Sequence, residues 1–353
     1  MPPADKATFF HAETLDLDRC QAVAETVQAI ISGVQVSCFL SQNQQQVIFR
    51  CEHPDTLTRG SALVMIKQLL RSDAGRSLLK EYDAIPVIAF INEKGGVAKT
   101  TSCLNLAACL AEREKQVLLA DLDAQANATV GLGVDPQALR HQPAEVFTKT
   151  SLPLACAILP TEIPGLDLLP ADAGLSEASL ALAGSVGREV RLRNKLASYL
   201  RNPRHKHYDY ILFDAPPSMD AVTLNALMAA SHLIIPLQPS YYSLRAMATL
   251  AGVLDSLFDE LAPKVRLLGL LVTMYNPRVA AHRALYELLQ EKVNRDFGPY
   301  LFSTLVPHCR EMSESEAAQA PIVRTHPQSP AARAYQCLAD EMLSRLEQET
   351  IAT

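Results

Sequence analysis

The stretch Phe90-Ile91-Asn92-Glu93-Lys94-Gly95-Gly96-Val97-Ala98-Lys99-Thr100-Thr101 constrains the fold more than any other part of the chain. An apolar run, Ile85 to Ile91, leads into it and reads as a buried strand. Ser102 to Ala111 follows and reads as a helix with an Ala/Leu face. Strand, glycine-rich loop and helix in immediate succession are the context of a phosphate-binding loop. Gly95 and Gly96 let the backbone turn so that successive N–H groups point inward. The helix N-terminus adds its partial positive charge. Lys99 is then placed to reach β- and γ-phosphates, and the Thr100 hydroxyl to ligate Mg²⁺. Two positions depart from the general pattern G-x-x-x-x-G-K-[ST]. Glu93 occupies the first-glycine position, and Ala98 replaces the glycine before Lys99. A methyl group at 98 is accommodated provided its φ is negative.

From residue 85 onward, apolar segments alternate with helical ones. Val117 to Asp123, Leu166 to Leu169, Tyr208 to Asp214, Leu233 to Leu237, Leu267 to Met274 and Leu301 to Val306 read as strands. Ala171 to Leu200 reads as mostly helical, interrupted around Gly184 and Gly187, and Ala331 to Gln348 as a closing helix. The predicted fold class is α/β: a mostly parallel, doubly wound sheet covered on both faces, preceded by a small α+β N-terminal domain. Ligands of such sheets bind beyond the carboxyl ends of the strands. Asp121, Asp123 and Asp214 all lie at such ends.

The predicted division is residues 1–84 and 85–353. In the first part, Leu15 to Ile31 has helical spacing, Val34 to Leu40 and Gln46 to Cys51 suggest a hairpin, and Thr56 to Leu70 and Asp73 to Tyr82 read as helices. Eight Lys/Arg against ten Asp/Glu there, together with the hairpin, favour a partner-binding or dimer-supporting module over an operator-reading one. The whole chain of 353 residues is 48% apolar and 20% charged, with net charge −6, as in an ordinary globular protein without an overall basic coat. The eight cysteines are scattered without a C-x-x-C pair. No signal peptide or run of 18 apolar residues is evident, which fits reduced thiols in a cytoplasmic protein. His308 and Cys309 read as loop residues and not as a metal pair.

The form K-G-G-x-x-K-[ST], from Lys94 to Thr100, resembles the deviant Walker A motif of the ParA/MinD family of ATPases. Further segments carry the resemblance. Asp121-Leu122-Asp123-Ala124-Gln125-Ala126-Asn127 is similar to the family's D-x-D-P-Q-G-N, with alanine for both Pro and Gly. Tyr208 to Asp214 followed by Ala215-Pro216-Pro217-Ser218 resembles its Walker B and second switch segment. Gly187 to Arg193 and Gln238 to Leu244 are similar to stretches of ParA proteins, and so is Tyr275-Asn276-Pro277-Arg278. The likeness spans about residues 85–345.

The resemblance implies ATP and Mg²⁺ as cofactors. It implies that Lys94 crosses a dimer interface to the partner's phosphates and that Gly95, Gly96, Val97, Ala98, Lys99, Thr100 and Thr101 cradle the nucleotide. Asp121 is implied near the metal, Asp214 as holding it through water, and Asp123 as positioning the attacking water. Asn276 is implied near the adenine; Pro307, where the family has Pro-Arg-Asn and this chain Pro307-His308-Cys309, offers a main-chain contact. The implied activity is slow, partner-stimulated ATP hydrolysis that switches a homodimer on and off. Its implied partners are nonspecific DNA, with Arg278, Arg283, Arg310, Arg324 and Arg333 as a basic surface, and a ParB-like or cargo-adaptor protein. The end of the chain, Glu341 to Glu349, holds three acids against one base and suits an anionic membrane poorly. A different class, a nucleotide-gated scaffold that hydrolyses little or nothing, stays open because Ala98, Ala124 and Ala126 alter the site's loops.

Overall fold

A computed structural model describes residues 7–13, 35–40, 46–52, 85–141, 143–148, 152–182, 188–200, 202, 204–240, 265–296 and 298–352. The chain forms two compact units, Met1–Glu81 and Tyr82–Thr353. In the first, β1 (Ala7–Glu13), β2 (Gln35–Leu40) and β3 (Gln46–Glu52) form an antiparallel sheet in the order β1-β3-β2. The expected hairpin is β2 paired with β3. β1 is not among the strands expected, although Thr8, Phe9 and Phe10 are residues that favour strands. The three helices expected in this part lie outside the described residues.

In the second unit, eight strands take the order β11-β10-β9-β4-β8-β5-β7-β6. They are β4 (Val87–Phe90), β5 (Val117–Asp121), β6 (Leu159–Pro160), β7 (Leu166–Leu169), β8 (Tyr210–Asp214), β9 (His232–Leu237), β10 (Arg266–Tyr275) and β11 (Leu301–Pro307). All pairings are parallel except that of the short edge strand β6 with β7. From β4 the chain moves to β5, β6 and β7 on one side, returns through β8, and then crosses to β9 on the other. The loop after β4 therefore sits where the direction of winding reverses, which is where open α/β sheets bind ligands.

The helices are α1 (Lys99–Glu112), α2 (Asn127–Val130), α3 (Ala144–Thr148), α4 (Gly174–Leu182), α5 (Arg191–Leu200), α6 (Ala221–Ala229), α7 (Ala280–Asp296), α8 (Glu311–Ala317), α9 (Ile322–Thr325) and α10 (Pro330–Ala352). The interruption expected around Gly184 and Gly187 lies outside the described residues. Ser102 through Ala111 of α1 are buried on every side, because the helix runs between the sheet and α10. Its alanines and small polar residues permit that close approach. Ser102 Oγ lies 3.3 Å from Tyr335 Oη, and Asn105 Oδ1 accepts from Val323 N. β5 and β8 carry no charged residue until their last, so Asp121 and Asp214 enter the core only at its carboxyl end. Cys51, Cys103, Cys109, Cys156, Cys309 and Cys337 are free thiols, and among the described residues no helix is long and apolar enough to cross a membrane.

Candidate functional site

The site is built from the carboxyl ends of β4, β8, β5, β9 and β10. Phe90 is the register partner of Asp214, and Asp214 is the register partner of Asp121. The loop 91–98 therefore rises directly beside the two carboxylates. It is tied down from the neighbouring strands. Asn92 Nδ2 donates to Pro236 O at 2.7 Å, and Asn92 Oδ1 accepts from Lys94 N at 2.9 Å. Thr273 Oγ1 donates to Val97 O at 3.0 Å. Gln238 Nε2 donates to Gly96 O at 2.7 Å, and Gln238 Oε1 accepts from Lys94 Nζ at 3.3 Å. Gly96 has φ +70°, the left-handed turn that glycine permits, and a Cβ at Gly95 or Gly96 would meet nothing within 4 Å. The space over the loop is open.

Lys99 is 7% exposed. Its ammonium folds back on the loop, donating to Asn92 O at 2.8 Å and Lys94 O at 3.1 Å. Burial lowers its pKa; Asp214 and then Asp123 oppose that by stabilising the charge. Thr100 and Thr101 continue the first turn of α1, where the backbone N–H groups have no helical partners.

The expectation of a negative φ at Ala98 is overturned: φ is +59° and ψ 36°. Ala126 repeats the arrangement, with φ +54°, and each alanine directly precedes a helix, α1 and α2, without a side-chain cap. Tertiary packing imposes the left-handed conformation on both at a cost of about 1–2 kcal/mol each.

Asp121 is held on all sides. Its Oδ2 accepts from Thr129 N at 2.8 Å and Thr129 Oγ1 at 2.7 Å, and its Oδ1 accepts from Asp123 N at 3.2 Å. Burial nevertheless pushes its carboxyl up to about 6, with those hydrogen bonds pulling the other way. Asp214 is different. Both its oxygens are buried and neither makes a well-formed hydrogen bond, although the Thr100 hydroxyl is close enough to stabilise the charge. Burial, then the charge of Asp121, holds it well above the usual carboxylate range; the nearby Thr100 hydroxyl and Lys99 offset this only in part. Burying a carboxylate without partners is costly. A hard divalent cation facing Asp214 and Thr100 would remove that cost, so the donor set fits Mg²⁺ with part of its water shell retained. Asp121, already satisfied, is suited to hold a water of that shell. Asp123 is half-buried, and its Oδ1 accepts from Gln125 N at 3.0 Å.

Asn276 and Pro307 lie farther along the same edge, at the ends of β10 and β11, where Tyr275 pairs with Pro307. Asn276 Oδ1 accepts from Arg278 N at 3.0 Å, and His282 Nδ1 from Asn276 N at 3.1 Å. Arg278, Arg283, Arg310, Arg324 and Arg333 are all exposed. Arg278 and Arg310 follow the ends of adjacent strands. Asn92, Thr129, Gln238 and Thr273 belong to the site and were not among the residues expected; only the polar character of each inside or beside an apolar segment signals them.

The fold and this loop define a P-loop nucleotide-binding protein. A family model described as an AAA domain matches residues 85–267. The chain is 39% identical over 261 residues to the chromosome-partitioning ATPase Soj of Thermus thermophilus, covering 74% of this chain and 96% of Soj. It is 34% identical over 259 residues to the chromosome partitioning protein ParA of Caulobacter vibrioides, covering 73% and 94%. A solved structure of a cobyrinic acid a,c-diamide synthase from Mycobacterium smegmatis, with a bound ATP analogue and magnesium, is 31% identical with TM-score 0.62 over 74% of this chain and 96% of that one. MinD of Pyrococcus furiosus shares the fold, with TM-score 0.58 over 73% of this chain and 98% of that one, at 22% identity. The chain belongs to the ParA/MinD family of P-loop ATPases.

Proposed function

We propose that this chain is a ParA-like ATPase in which ATP joins two copies and hydrolysis separates them, and that the ATP-bound dimer positions DNA or another cargo through nonspecific DNA binding. The observation that carries the nucleotide half is the Asp214 carboxylate, buried without a well-formed hydrogen bond, beside Lys99 and Thr100. Such a group is explained by a cation arriving with a triphosphate. The similarity to Soj and ParA supports the partitioning half.

In this reading Thr100 and Asp214 hold Mg²⁺, and Asp121, braced by Thr129, orients its water shell. The metal, when bound, neutralises phosphate charge. Lys99 leaves the carbonyls of Asn92 and Lys94 for the β- and γ-phosphates. The N–H groups of Gly95 to Thr101 cradle the same oxygens. Lys94 supplies a second positive charge to the partner's nucleotide, as an arginine finger would. Asp123 accepts a hydrogen bond from the attacking water and directs it in line. Asn276 and the main chain at Pro307 border the base. The exposed arginines after β10 and β11 meet phosphates without reading sequence. A ParB-like or cargo-adaptor protein accelerates turnover, and residues 1–84 support pairing or bind that partner.

A second reading is favoured by one observation. Ala98 and Ala126 hold the phosphate loop and the Asp123 loop in strained left-handed conformations, which suits a nucleotide-gated scaffold that hydrolyses slowly or not at all. Single-turnover hydrolysis separates the two.

The deciding experiment measures ATP-dependent binding to duplex DNA of arbitrary sequence, with a salt titration, beside Lys94→Ala. Binding that requires ATP, weakens steeply with salt and fails in the variant is expected. Absence of binding at low salt with ATP present rules out the DNA-positioning reading.

A further inference from the structure

We infer that Gln238 is a positioning residue that holds Lys94 within its own subunit, and that its release governs how readily two copies pair on ATP. This rests on the reading of Lys94 given above as the lysine that serves the partner's nucleotide.

Gln238 stands one residue past the end of β9, beside β4. Its amide bridges two points of the loop: Oε1 accepts from Lys94 Nζ at 3.3 Å, and Nε2 donates to Gly96 O at 2.7 Å. The amide's orientation is determined by its neighbours. Reversed, it would set NH₂ against an ammonium and oxygen against a carbonyl, two repulsive pairs. Nε2 also abuts the sulfur of Met274, itself left-handed with φ 53°. A second tie, Asn92 Nδ2 to Pro236 O, runs between the same two segments. Gln238 therefore couples the position of Lys94 to the shape of the loop at Gly96.

The character of the hold matters. Among the described residues no carboxylate pairs with Lys94, and the neighbouring Glu93 is exposed. A neutral amide at 3.3 Å grips an ammonium more weakly than a carboxylate does, and a phosphate outcompetes it. A nucleotide on the loop also draws the Gly96 region toward its oxygens, pulling on the Nε2 end of the same amide. Loading the loop thus loosens Lys94, and the latched fraction lowers the apparent affinity for pairing.

The test begins with nucleotide-free protein, so that it does not depend on the ATP reading. Acetylation of Lys94 by a small amine-reactive reagent, followed by mass spectrometry against exposed lysines, reports its freedom. Gln238→Ala is expected to speed Lys94 labelling about threefold or more, and Gln238→Glu, which supplies a carboxylate, to slow it. Unchanged labelling in both variants overturns the inference. The second readout is the ATP concentration at half-maximal dimer formation, by light scattering. Gln238→Ala is expected to lower it and Gln238→Glu to raise it, with both differences vanishing in a Lys94→Ala background. Equal shifts with and without Lys94 would make Gln238 merely structural and overturn the inference. If neither wild type nor variants dimerise with ATP while labelling still shifts, the pairing reading fails, and with it the role assigned to release; the hold on Lys94 stands.

Discussion

Asp214 lies directly across from Asp121 on the adjacent parallel strand, and of these two buried carboxylates only Asp121 is held by well-formed hydrogen bonds. The asymmetry separates a residue that is positioned from one that is waiting for a charge. Replacing Asp214 by Asn is expected to stabilise the metal-free protein by about 1–2 kcal/mol, since the cost of a carboxyl whose pKa burial and Asp121 hold above its unfolded value is removed. The same variant is expected to lose the Mg²⁺-dependent part of nucleotide affinity and to hydrolyse at least about a hundredfold more slowly. Chemical denaturation without metal and nucleotide titration with and without Mg²⁺ check the two halves. A destabilised metal-free variant would contradict the account.

Ala98→Gly and Ala126→Gly remove a Cβ from left-handed backbone. Each is expected to gain about 0.5–1 kcal/mol, the relief of strain less the extra chain entropy glycine loses on folding. Urea denaturation measures this. Turnover that rises in the double variant would show that the alanines restrain hydrolysis; turnover that stays absent would favour the scaffold reading.

Gly269 in β10 is a packing glycine. A Cβ there would lie 2.4 Å from Phe302 Cε2 and 2.8 Å from Arg345 Nη1, while the Arg345 guanidinium sits 4.1 Å from the Phe302 ring centre. Arg345 also donates to Leu268 O at 2.9 Å and Leu301 O at 2.7 Å, fastening α10 to two strands. Gly269→Ala is expected to cost about 1–3 kcal/mol through overpacking. Thermal unfolding tests it, and an unchanged melting temperature would mean that the ring and guanidinium move aside freely.

His232 gives stability a pH dependence on the acid side. Its Nδ1 lies 2.8 Å from Ser231 Oγ and its Nε2 3.1 Å from Glu349 Oε2, with Arg266 also facing Glu349. Burial lowers its pKa from 6.5; Glu349 opposes and Arg266 adds to the lowering. The unfolded chain therefore takes up this proton first. The contribution is whole above pH 6.5 and is lost as pH falls through the depressed folded value. His232→Asn is expected to flatten the stability profile between pH 7 and 5, by at most about 1.4 kcal/mol per pH unit. Denaturation midpoints across that range decide it, and an identical slope in the variant would refute it.

The phosphate loop was legible because its chemistry is carried by twelve consecutive residues. The strand ends were legible because buried apolar runs that stop at an aspartate break pattern. The residues that hold these groups were not. Thr129 is eight residues from Asp121, and Gln238 is 144 from Lys94, so their partnership appears only when β9 is laid beside β4. Short elements such as α8 and α9 were missed too, because few turns leave too little periodicity to read.

By itself, the order of apolar and polar residues determined an alternating α/β chain, a nucleotide loop at the end of its first core strand, and carboxylates at the ends of two others. These follow from local propensity and from side-chain alternation, which act over a few residues. The tertiary structure alone decided that Ala98 and Ala126 are left-handed against their own preference. It also decided that Asp121 is satisfied while Asp214 is not, and that Lys94 rests on Gln238. Each depends on which strand lies beside which, and burial then fixes the cost of every group left without a partner.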